Sequence, residues 1–410
     1  MTYDDLRKLF FMDKNTHEAV YQRRVTNECA VHLSIHIHEF PVFFLITPEV
    51  LQLCMEILRL NQEIPKLREL LPEKAFEQYR NTCLISEITL TNDIENVHSS
   101  RREISDLLND LKQRDNRKRF HGLVNKYAML LQNDTRKLAT CQDIRDIFDE
   151  MVANEIQMDS PENLPDGKYF RAESVTVYSG TGKALHQGLC PESLIIEVME
   201  QALLFLNDSS IDILLRISVF HYLFGYIHPF YDGNGRVSRF ISSYLLSGTL
   251  DPIVAFHLSL TIKNQLSAYY KAFEICNDSR NKGDLTPFIL MFLTIIRDSI
   301  NELRTDLSTK IAEFLYYLNL AKASFSSTLS ANQKTFSLCS LLIQAALFSE
   351  DGIPTADLLD MLTISRTTLA SCFKELPENL YHTKKIKNAK YYQMNLAALE
   401  HYANLNQAQS

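Results

Sequence analysis

The chain has 410 residues, 46% of them hydrophobic and 22% charged, with 42 Lys and Arg against 50 Asp and Glu and a formal net charge of −8. This length suits about two to four folding units, and the balance excludes wholesale disorder and any chain-wide basic field for nucleic acid or membrane. With only 11 Gly and 12 Pro, the composition argues against a many-turned β protein and for helices.

The eight Cys are scattered without a CxxC spacing, which reads as reduced thiols in a cytoplasmic protein. The opening MTYDDLRKLFF lacks a basic region followed by an apolar core, so no signal peptide is expected. The longest apolar run, Phe288–Ile296, is too short to span a bilayer, so no membrane contact is expected.

In chain order, Ala30–His38 alternates Val31, Leu33, Ile35 and Ile37 with His32, Ser34, His36 and His38, the period of a half-buried strand. The histidines read as a solvated face, since no carboxylate or Cys sits at a ligand spacing. Pro48 opens an amphipathic helix, EVLQLCMEILRLNQ, and further helices are predicted over 80–90, 99–113 and 119–131. Thr91 is an N-cap candidate. Arg171–Tyr178 is β-rich and runs into the turn cluster SGTG, which predicts a short hairpin. Helices follow after Pro191, over 214–226 and 236–246, and a long one over 303–330. Residues 335–400 read as three short helices and a two-stranded ribbon over 381–393, the outline of a winged helix-turn-helix. The expected fold is all-α with a β-hairpin flap, plus that C-terminal winged helix-turn-helix.

The most informative segment is His228-Pro229-Phe230-Tyr231-Asp232-Gly233-Asn234-Gly235-Arg236-Val237-Ser238-Arg239. Gly233 and Gly235 permit positive φ, Asn234 tolerates it, and successive N–H groups in such a turn form an anion nest. A helix starts behind it and adds its own N–H groups and dipole. Arg236 and Arg239, three apart, suit a polyphosphate better than a lone carboxylate. Asp232 beside that much negative charge calls for a bridging Mg²⁺. His228 is a candidate base for an attacking hydroxyl.

This segment resembles the defining motif of the Fic (filamentation induced by cAMP) family, HPFx[D/E]GNGRxxR, with every fixed position present. The resemblance implies a mainly helical Fic fold and transfer of AMP from ATP to a hydroxyl side chain of a protein target. It assigns His228 as the base and Asp232 as the Mg²⁺ ligand. Asn234 and the backbone of Gly233 and Gly235 would hold the α-phosphate, and Arg236 and Arg239 the β- and γ-phosphates. Phe230 would pack in the core to fix the loop. Val175–Tyr178 resembles the flap that aligns a target segment by strand addition, and AYYKAFEICN resembles the nucleoside-side helix, with Tyr269 and Asn277 near adenine or ribose. Thr91-Asn92-Asp93-Ile94-Glu95-Asn96 resembles the inhibitory motif [S/T]xxxE[G/N], which implies that Glu95 pairs with Arg239 and restrains transfer.

The resulting division is 1–120, mostly helical and carrying the inhibitory segment; 121–300, the catalytic core; 301–334, a linker helix; and 335–400, the winged helix. The expected partner is a protein with a Tyr, Thr or Ser hydroxyl, the chain itself included. A homodimer stays open. The stretch 361–395 carries Arg366, Lys374, Lys384, Lys385, Lys387 and Lys390 against Glu375 and Glu378, so it could meet DNA or protein. Two alternatives stand: removal of AMP from a modified target by the same site, and an ATP-sensing DNA- or protein-binding regulator.

Overall fold

A segment apolar on every side is stable as a helix only in the middle of a core. Ile213–Ile227 is such a helix, with twelve buried positions including Leu214, Ile217, Phe220, Leu223 and Phe224. It packs between Glu192–Leu206 and Asn234–Ser247. The computed structural model describes residues 3–111, 118–132, 137–178, 184–324, 333–349, 351–386 and 388–407. They fall into two units, Met1–Gln62 with Leu84–Glu302, and Glu63–Cys83 with Leu303–Ser410.

In the first unit, strands Ala30–Ile37 and Phe40–Leu45 pair antiparallel, Ala30 opposite Leu45 and Ile37 opposite Phe40. Leu33, Ile35 and Ile37 are buried while His32, Ser34 and His36 are exposed, following the predicted alternation. Phe43 extends the pairing to the chain after the core: Gly283 O accepts from Phe43 N–H at 3.1 Å, and Phe43 O from Leu285 N–H at 2.8 Å. Gly283 has φ 76°, and a Cβ there would stand 2.5 Å from Pro41 O, so glycine is required. The hairpin expected after Arg171 is present as Thr176–Tyr178 and Ala184–Gln187, Val177 opposite His186; its SGTG tip lies outside the described residues.

The segment around Thr91 corrects the expectation of an N-cap. Glu73–Ile94 is one 22-residue helix, and Thr91 and Asn92 are buried in its last turn. Asn96, at φ 58°, reverses the chain after Ile94. The next helix is Arg101–Asp110, capped by Ser100, whose Oγ accepts from Glu103 N–H at 3.1 Å. The expected long helix begins much earlier, as Thr286–Ser324, because the apolar run from Phe288 and the amphipathic run after it form one continuous element.

In the second unit, Gln333–Phe348, Thr355–Leu362 and Arg366–Lys374 lie with a three-stranded sheet made of Ile353–Pro354, Ala389–Met394 and Tyr381–Ile386 in that order. The predicted ribbon is therefore present, with Tyr381 opposite Met394 and Lys385 opposite Lys390. Phe373 stacks on Tyr392 with centroids 4.7 Å apart. Lys387 lies outside the described residues. All eight cysteines are free thiols, and among the described residues no helix is long and apolar enough to cross a membrane.

Candidate active site

The buried helix ends at His228, whose N–H still reaches Phe224 O at 2.9 Å while its φ turns to 51°. Pro229 cannot continue the helix, and the chain turns back until Gly233, at φ 78°, starts the helix Asn234–Ser247. Phe230 fixes the loop from beneath as expected: it is fully buried, stacks on Phe148 with centroids 4.0 Å apart and meets Phe170 edge-on. Asn234 closes the loop. Its Oδ1 accepts from Phe230 N–H at 3.0 Å and its Nδ2 donates to Phe230 O at 2.7 Å. Both polar groups of Asn234 are thus engaged by Phe230, so the structure gives this side chain a loop-closing position.

The two arginines separate in role. Arg236 is fully buried, and its Nη1 donates to Glu155 Oε1 at 2.8 Å and Oε2 at 2.7 Å. Glu155 thus takes one nitrogen of the guanidinium on which the sequence reading placed the phosphates, while Nε has no hydrogen-bond partner among the described residues and Nη2 lies 4.0 Å from Asp232 Oδ1. Glu155 follows a π-helical turn, Asp149–Ala153, a local widening that re-aims the residues after it. Burial pushes the Glu155 carboxyl up, against the pull of Arg236.

Arg239 is also buried, and its donors point to a different helix. Nη1 meets Glu95 Oε1 at 2.8 Å, Nε donates to Thr91 Oγ1 at 2.8 Å, and Nη2 to Thr91 O at 2.9 Å. One turn further back, fully buried Glu87 accepts from Ser259 N–H at 2.8 Å and Ser259 Oγ at 2.6 Å. Burial pushes its carboxyl up to about 7. Glu87 and Thr91 share a helix face one turn apart, and Glu95 follows just past the helix end at Ile94. The Glu95 carboxylate also overhangs the loop, since a Cβ on Gly235 would stand 2.0 Å from Glu95 Oε1. A carboxylate therefore occupies the place over the helix N-terminus that an anionic ligand would take.

Asp232 is nearly half exposed, with Oδ1 accepting from Gly233 N–H and lying 4.0 Å from Arg236 Nη2. One open carboxylate beside an anion nest matches the donor set of a Mg²⁺ shared with phosphate oxygens. His228 is half-buried, and burial, His186 and Arg171 push its imidazole down to about 3. It is therefore neutral near pH 7, the form that accepts a proton.

On the flap, Val175 O accepts from Gly188 N–H at 3.0 Å, and Tyr178 pairs through its backbone with Ala184; the Tyr178 side chain is outside the described ones. The two nucleoside-side candidates each have a protein partner. Tyr269 is buried, with its hydroxyl 2.7 Å from His221 Nε2, and Asn277 Oδ1 accepts from Tyr222 OH at 2.7 Å. The neighbouring Tyr270 is 42% exposed and lies within the electrostatic reach of Glu95 and Arg239. Sequence reasoning missed Glu155 and Glu87, which sit in unremarkable helices far from the motif. It also missed any role for Arg171, which it read only as the first residue of a β-rich stretch and which is fully buried.

Residues 139–246 match the model of the Fic/DOC family. The protein adenylyltransferase Fic of Drosophila ananassae is 33% identical over 97 residues, covering 24% of this chain and 18% of its own length. That of Drosophila melanogaster is 31% identical over 124 residues, covering 30% and 23% respectively. The chain thus spans about a fifth of the length of these curated relatives. A solved Fic family protein from Desulfovibrio desulfuricans G20 shares the fold, with a TM-score of 0.51 at 18% identity over 85% of this chain and 97% of that one. The family model thus places a Fic/DOC domain at residues 139–246, around the intact motif, and the solved neighbour shows that the surrounding fold is shared.

Proposed function

We propose that the protein transfers AMP from ATP to a hydroxyl side chain of a protein target and that Glu95 restrains this activity. The Glu95 carboxylate on Arg239, 2.8 Å away and overhanging Gly235, carries the reading. A built-in anion at that position is repelled by the triphosphate it resembles and withholds a guanidinium from it. The names of the curated relatives, protein adenylyltransferase Fic, support the same chemistry.

In this reading the triphosphate lies along the turn at Gly233–Gly235 and its far end takes Arg239 from Glu95. Asp232 would hold a Mg²⁺, which when bound neutralises phosphate charge and so assists departure of pyrophosphate. His228 accepts the proton of the target hydroxyl, whose oxygen bonds to the α-phosphorus as the bond to pyrophosphate breaks. The flap strand Thr176–Tyr178 offers an edge for the target segment. The neutral imidazole favours a transferase over an ATP sensor, which has no use for a base. Incubation of wild type and Glu95→Gly with α-labelled ATP tests the reading: label on protein from the variant supports it, and none from a well-folded variant that binds Mg·ATP refutes it.

A further inference from the structure

Arg171 is a fully buried cation with no carboxylate within ion-pair distance among the described residues. An isolated buried charge is costly unless its donors are satisfied. Here they are met by main-chain carbonyls from three places. Nε donates to His228 O at 2.9 Å, Nη2 to Leu189 O at 2.7 Å, and Nη1 to Glu173 O. The Arg171 N–H adds a bond to Pro229 O at 3.1 Å. Glu173 and Leu189 are the two roots of the flap hairpin, and His228 is the proposed base. The packing leaves no slack, since a Cβ on Gly188 would stand 2.4 Å from Arg171 Nη2 and 3.0 Å from His228 Cβ.

The strap bearing Arg171 is itself anchored. The Glu192 carboxylate accepts from the N–H groups of Lys168, Tyr169 and Phe170 at 2.8–2.9 Å. Tyr231, at one of the variable positions of the motif, donates to Asp166 at 3.0 Å and accepts from Glu173 N–H at 2.9 Å. We infer that Arg171 is a positioning residue that locks both roots of the flap to the main chain of His228, so that a target segment on the flap and the base that takes its proton share one rigid frame. The planar fork explains the choice of arginine, because its donors are spread over three nitrogens facing three separate carbonyls, whereas those of lysine radiate from one. The charged and titratable groups facing His228 are His186, on the flap, and Arg171 itself; together with burial they disfavour the imidazolium. This role rests on the proposed transfer of AMP.

The test adds Arg171→Met or Arg171→Lys to the full-length Glu95→Gly form and reads transfer kinetics, Mg·ATP affinity by calorimetry, melting temperature, and the nucleotide-free NMR titration of His228. Arg171→Met is expected to lower kcat by about 100-fold, the scale of a misplaced reacting group. Mg·ATP affinity should hold, because the bonds of Arg171 reach none of residues 233–239, and the His228 midpoint should rise toward the ordinary imidazole value. Arg171→Lys keeps the charge without the fork, so it should keep the low midpoint and recover only part of the rate. Unchanged kcat and midpoint in both variants would overturn the inference. So would a rate loss matched by parallel losses of Mg·ATP affinity and melting temperature, which signals general loosening. If Glu95→Gly itself transfers nothing, the proposed function fails, whereas the His228 titration still judges the arginine.

Discussion

Glu95 and Arg239 form an ion pair 2.8 Å long between the end of one helix and the first turns of another, and the carboxylate lies over the glycine where the second helix begins. Arg239 is buried and Glu95 is 30% exposed on its side chain, so the pair is partly shielded from water yet can open toward it. This asymmetry suits a restraint: the guanidinium is held by Thr91, and the carboxylate is the more exposed half.

Gly235→Ala separates restraint from catalysis. The added methyl would stand 2.0 Å from Glu95 Oε1 and 3.0 Å from Arg239 Nη1, so the carboxylate must move away. The same methyl fills the cradle proposed for phosphate. The variant should lose the ion pair without gaining transfer, and Gly235→Ala should abolish the activity of Glu95→Gly. Incorporation of labelled AMP into protein checks both; a Gly235→Ala protein as active as Glu95→Gly contradicts this view of the cradle.

Arg236 and Glu155 are expected to act mainly on stability. Glu155→Gln takes the buried counter-charge from a fully buried guanidinium, leaving the half-exposed Asp232 4.0 Å away, and should cost about 3–5 kcal/mol. The double variant Glu155→Leu with Arg236→Met removes both charges and should recover most of that loss. Urea unfolding of the three proteins measures the difference.

His228→Asn should abolish transfer while leaving the fold and Mg·ATP binding intact. Asparagine tolerates the left-handed backbone at φ 51°, so the substitution adds little strain where alanine would add more. Calorimetry with Mg·ATP and labelled-AMP incorporation together check this; retained transfer would remove His228 as the base.

Stability should depend on pH through three groups that burial shifts. The His221 and His228 imidazoles are pushed down to about 3, in each case chiefly by burial. Between that value and about 6.5 the unfolded chain binds more protons, so these two groups make stability rise with pH. Burial pushes Glu87 up to about 7, so its contribution is full below the ordinary carboxylate value and is lost as pH rises through about 7. The two trends oppose each other. Glu87→Gln should therefore steepen the rise of stability with pH between about 4.5 and 6.5, by up to ~1.4 kcal/mol per pH unit for one proton. Unfolding free energies of both proteins across that range check the sign.

The turn from His228 to Arg239 was legible because its glycines, polar groups and cations fall within twelve residues, where local geometry alone implies an anion site. Glu95 became legible only through its resemblance to an inhibitory motif, since 144 residues of chain separate it from Arg239 and spacing says nothing about such a pair. Thr91 was misplaced because a hydroxyl near a helix boundary favours an N-cap locally, whereas packing carried the helix from Glu73 on to Ile94. Tyr269 and Tyr270 are adjacent, and a helix turns them about 100° apart, so only the surrounding core decides which is buried. Arg236 and Arg171 show the general difficulty. A charged residue reads as solvated until its buried acceptors are seen, and those acceptors are a carboxylate 81 positions away and three carbonyls with no sequence signature.

The most direct test is the rate of AMP incorporation from α-labelled ATP by Glu95→Gly against wild type at equal concentration. An increase of about 100-fold corresponds to ~2.7 kcal/mol, within the range of one partly buried ion pair, and is the predicted result. Equal rates in two folded, Mg·ATP-binding proteins would contradict the restraint at Arg239.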